Sequence, residues 1–146
     1  MQVQANNYWS GVFDDAKQRL ASGFMQYIND TLHQLDRVKQ YREHTGKFYH
    51  NGTDVCYKDE NGLEKVAKQP PIPQGLIDNA KTLAKQLDSL NIWDDDTLKD
   101  ARGRILNLLN CIGDDRKKLA DSPILQQQVA NEVSKIQSDF ADKFKI

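Results

Sequence analysis

Between Trp9 and Val38 the apolar residues Trp9, Phe13, Ala16, Leu20, Phe24, Ile28, Leu32, Leu35 and Val38 follow one another at steps of three or four. Side chains spaced this way share one face of an α-helix, so the pattern predicts a single long helix from about Trp9 to Tyr41. Such a stripe must be covered by other elements, which directs the chain towards helix-on-helix packing. Ser22-Gly23 falls inside this run, where glycine costs about 1 kcal/mol relative to alanine, and predicts a bend or a close helix contact. Thr45-Gly46 supplies the stop. The helix outruns every later one, so part of it is expected to project, to break at Gly23, or to pair with another chain.

Two cleaner ladders follow. Leu76, Ala80, Leu83, Leu87 and Leu90 form one, and Leu98, Ala101, Ile105, Leu108 and Ile112 the next. Asp94, Asp95 and Asp96 stand before the second, where carboxylates cap free amides, and Gly113 stands at its end. Asp114 to Ala120 reads as a separate short turn of helix. Ser122 and Pro123 then supply an N-cap and first-turn pair for a last helix carrying Leu125, Val129, Val133, Ile136, Phe140 and Phe144.

Residues 47 to 66 change period. Phe48-Tyr49 and Val55-Cys56-Tyr57 flank an Asn51-Gly52 turn, which predicts a hairpin, with a second turn at Asp59 to Gly62 ahead of Leu63 and Val66. The prolines of Gln69-Pro70-Pro71-Ile72-Pro73 disfavour helix at the residues before them and predict an extended connection. The fold expected is therefore mainly all-α: one domain over 1–146, an antiparallel bundle of about four helices, with a small β-hairpin insertion at about 46–73 after the long first helix.

Charge narrows the function classes. Twenty basic and twenty-one acidic residues are mixed along the 146-residue chain, for a net charge of -1, so no block of charge marks a polyanion or a membrane surface. Neither a secretory signal nor an apolar run long enough to span a bilayer is present, and the expected location is cytoplasmic. Cys56 and Cys111 match no zinc or redox spacing and read as inert thiols.

The segment REHTGKFYHNGTDVCYKDENG, residues 42 to 62, gathers the side chains best suited to chemistry. His44, His50 and Cys56 lie six positions apart, too far for the knuckles of compact zinc sites, so no metal and no cofactor is expected. Asp94 to Asp96 lacks the alternating ligands, central glycine and terminal glutamate of a calcium loop. Arg37 and His44 resemble, in their spacing, the arginine and histidine of helical ribonucleases of the HEPN class. That resemblance implies metal-independent acid-base cleavage of RNA by this pair. Here, however, the pair ends the first helix, whereas that class carries it late in the domain. Arg102, Arg104, Arg116, Lys117 and Lys118 could touch nucleic-acid phosphates, but acids flank them: Asp100, Asp114, Asp115 and Asp121.

No phosphate loop, nucleophile elbow or HExxH helix is present. The aromatics Tyr8, Trp9, Phe48, Tyr49 and Tyr57 stand as candidate partner-binding residues, since tyrosine and tryptophan bury large areas at low entropic cost. The leading expectation is a small single-domain protein-binding module such as an inhibitor, immunity protein, adaptor or assembly subunit, with another protein or a further copy of the chain as partner. Nucleic-acid binding and Arg37/His44 ribonuclease activity are the alternatives.

Overall fold

A computed structural model describes the backbone of residues 2–90, 94–113 and 115–143, and within these the side chains from residue 11 onwards. The first helix, α1, runs unbroken from Gln2 to Glu43. It is longer at both ends than the apolar ladder predicts, and it does not break at Gly23. Leu83 of the helix Gly75–Ser89 (α2) packs beside this glycine, its Cδ2 4.0 Å from where a Cβ would stand, an ordinary packing distance that leaves room for a methyl group.

Asp96–Ile112 forms α3, Arg116–Asp121 a short α4, and Pro123–Ala141 forms α5. Antiparallel neighbours are fixed by contacts in opposite chain order. Tyr27 Oη donates 2.7 Å to the Leu76 carbonyl, after the Gly23–Leu83 contact along α1 but before it along α2. Phe24 packs edge-on against Phe140 at 5.2 Å between centroids, and Arg42 reaches Gln126 at the other end of the α1/α5 pair. Arg104 bridges to Glu132 and Asp139, tying α3 to α5. The bundle is therefore up-down-up-down, and its core is made of the predicted ladder residues: Phe24, Ile28, Leu35, Val38, Ala80, Leu87, Ile105, Leu108, Val129, Val133, Ile136 and Phe140 are all buried.

Local chemistry sets the ends. Asp95, not the whole aspartate run, caps α3 by accepting from the Leu98 amide at 3.0 Å, and it also receives Lys17 Nζ at 2.8 Å. Burial alone would raise its carboxyl pKa, but these hydrogen bonds outweigh that and hold it below the usual carboxylate range. Asp94 instead binds Lys99. Ser122 caps α5 through the Leu125 amide, with Pro123 in its first turn, as the sequence predicts. The expected contributions of Asp114 and Phe144 lie outside the described residues.

One buried amide joins three helices. The carbonyl of Leu119 would look four residues ahead for its helical donor, and finds Pro123, which has no N–H. Gln126 Nε2 substitutes, donating 2.9 Å to Leu119 O and 3.0 Å to Ala120 O, while its Oε1 accepts from Arg42 of α1 at 2.7 Å.

The insertion is a three-stranded antiparallel meander: β1 (Tyr49–Asn51), β2 (Asp54–Lys58) and β3 (Glu64–Val66), in that order. The hairpin was legible, the third strand was not. Asn51 pairs with Asp54, so the first turn centres on Gly52-Thr53 rather than Asn51-Gly52, with Gly52 at φ 66°. Asp59 organises the second turn by accepting from the amides of Asn61 and Leu63.

Candidate functional site

Alternation along the strands sorts the insertion into two faces. Register pairs Tyr49 with Cys56 and Cys56 with Val66, so these share one face. Here Tyr49 Oη donates 2.8 Å to Glu64, which also accepts from Asn51 at 2.9 Å. Loss of water and the adjoining Glu64 carboxylate push the Tyr49 phenol up to about 12. Cys56 is buried, and that burial, with Glu64 and Asp54 nearby, raises its thiol pKa, which keeps it protonated and unreactive.

The opposite face carries Phe48, His50, Val55 and Tyr57 and leans on the end of α1. Phe48 is buried and meets Tyr41 edge-on at 5.7 Å. This aromatic therefore belongs to the seam that fastens the sheet to the helix. Tyr57 remains half-exposed.

Beside Tyr57 opens a groove of about 430 Å³ between the sheet, the proline segment and α1. Arg37, Lys47 and Lys68 line it together with Phe48, Tyr57, Val66, Pro70 and Pro71, and no acidic residue does. Lys47 Nζ lies 5.3 Å from the Phe48 ring centre and 5.5 Å from that of Tyr57, within cation–π range of both. Among the described residues no carboxylate pairs with Arg37, Lys47 or Lys68. One margin of the groove is β3, whose outer edge is unpaired among the described residues and whose three residues are all exposed, Val66 by 64%. An unpaired edge offers main-chain donors and acceptors to an extended chain.

The remaining sequence candidates are scattered. His44 does not join Arg37: it follows the last residue of α1, and its ring lies 4.2 Å from that of His50. Arg104 is bound by Glu132 and Asp139, Arg102 faces Asp88 on α2, and Arg116 reaches the Ile72 carbonyl. Lys117 and Lys118 are exposed on α4. The side chains of Tyr8 and Trp9 lie outside those described. A second cavity, of about 350 Å³ between α1 and α2, is lined by the amides of Gln26, Gln34, Asn79 and Gln86 and has Asp30 as its one charge. Comparison with known proteins finds no matching family model, no matching curated protein and no matching solved structure.

Proposed function

We propose that the protein is a protein-binding module, as an adaptor or inhibitor would be, and that it receives an extended acidic segment of its partner in the groove between the β-meander and α1. The observation that carries this reading is a concave surface with three cations, two aromatic rings and no carboxylate, on a chain whose charges are otherwise balanced. Acidic side chains of the segment meet Arg37, Lys47 and Lys68, an apolar side chain lies against Tyr57 and the Pro70-Pro71 pair, and its main chain adds to the free edge of β3.

The test is fluorescence anisotropy with labelled twelve-residue peptides rich in Glu and Asp and carrying one Leu or Phe, alongside a single-stranded RNA of equal charge. Peptide binding that weakens about tenfold or more in Arg37→Glu and in Tyr57→Ala, with circular dichroism unchanged, supports the reading. Indifference of peptide binding to both substitutions refutes it. RNA bound in preference to every peptide would move the assignment to nucleic acid, and cleavage of that RNA, lost in His44→Asn, would move it to the ribonuclease reading.

A further inference from the structure

His44 occupies the left-handed backbone region, which residues other than glycine seldom take. At φ 56° it is the left-handed residue that closes α1, and the next amide, that of Thr45, bonds back to the Gln40 carbonyl at 3.0 Å. Glycine is the usual occupant of this position because a Cβ there costs roughly 1–2 kcal/mol. A strained side chain kept where glycine would serve is a reason to ask what the side chain does.

Its ring stands against that of His50, centres 4.2 Å apart and planes inclined by 54°. Both residues are exposed, and neither imidazole has a hydrogen-bond partner among the described residues. The two backbones are fixed independently, His44 by the helix closure and His50 by its pairing with Val55 in the sheet. Cys56, evenly spaced with them in sequence, is buried on the other face of the meander. No group of three His, Cys, Asp or Glu that could hold a metal forms among the described residues.

We infer that His44 and His50 form a two-imidazole site for a transition-metal dication, copper(II) above the others, with water completing the coordination. Nitrogen donors without a carboxylate suit copper, nickel and zinc and disfavour magnesium and calcium. Ring centres 4.2 Å apart bring the two imidazoles close enough for one ion to take a nitrogen from each. Copper(II) leads because, among the first-row dications, it binds a given set of nitrogen donors most tightly. The ion would cross-link the end of α1 to β1, a role separate from the groove beside Tyr57.

Isothermal titration of the untagged full chain with CuCl2, NiCl2, ZnCl2 and MgCl2 tests the site. One equivalent of copper bound more tightly than nickel or zinc, no heat from magnesium, and an electron paramagnetic resonance spectrum with coupling to two imidazole nitrogens are expected. His44→Asn, which tolerates the left-handed backbone, and His50→Gln should each weaken copper binding at least tenfold, whereas His33→Gln, an exposed histidine elsewhere on α1, should not. Copper affinity unchanged in either of the first two variants, or lost in the third, would overturn the assignment.

Discussion

Replacing Gln126 by methionine keeps the length and helix propensity of the side chain and removes only its amide. Three bonds go with it: the one from Arg42 and the two to the carbonyls of Leu119 and Ala120. Gln126 is 5% exposed, and the Leu119 carbonyl cannot turn to Pro123 for a replacement donor, so at least one buried acceptor is left bare at a cost of about 1–3 kcal/mol. Loss of the bond to the Arg42 guanidinium adds about 1 kcal/mol, since Arg42 is half-exposed and regains water. Burying the thioether in place of the amide returns about 1 kcal/mol. A net loss of roughly 1–3 kcal/mol follows, which for a domain of this size is a fall of about 3–10 °C in Tm. Urea unfolding followed by circular dichroism at 222 nm measures it, with Gln128→Met, an exposed neighbour, as control. A loss below about 0.5 kcal/mol with an unchanged slope against urea would show that Gln126 does not hold α1, α4 and α5 together.

At His44, the glycine variant should be more stable than the alanine variant by about 0.5–1 kcal/mol, because both lose the imidazole and only alanine keeps the left-handed strain, while glycine returns part of the gain as unfolded-state entropy. Equal melting temperatures would refute this. The Tyr27 phenol, desolvated beneath α2, is pushed up to about 12 from about 10, so its contribution is complete below pH 10 and is lost as pH rises towards 12, at most roughly 3 kcal/mol. In Tyr27→Phe that part of the alkaline loss should vanish, read from urea midpoints between pH 9 and 12. Asp95 runs the other way. Its depressed carboxyl stabilises the fold above the ordinary aspartate pKa and ceases to do so as pH falls through the folded value, so Asp95→Asn should flatten stability against pH below about 4. A curve parallel to that of the unsubstituted protein would contradict it.

The helices were legible because each buries a stripe whose three-and-four spacing survives in the sequence, as with Leu98, Ala101, Ile105, Leu108 and Ile112. Strand β3 was not: Glu64, Lys65 and Val66 are all exposed, so burial leaves no alternating signature, and the strand exists through pairing with β2. Gln126 sits in an apolar seam in the guise of a surface residue, and only the placement of Pro123 gives a hint of its work. The groove draws Arg37, Lys47, Tyr57 and Lys68 from α1, a turn, a strand and a loop, and the folding of the meander onto the helix is what makes them neighbours. Arg37 and His44, seven residues apart in sequence, are led into different surroundings by the end of the helix that lies between them.

The unbroken run of α1 fixes a distance as well as a direction. Forty-two residues at 1.5 Å each make a rod of about 63 Å, against about 28 Å for the nineteen of α5. Gly11 therefore stands about 39 Å along the axis from Arg37 at the groove. The chain acts as a ruler graduated in residues. Seven more inserted after Gly11 would carry everything before them about 10 Å further from the groove while turning it by only about 20°. Whatever meets the two ends of this helix together must be cut to its length.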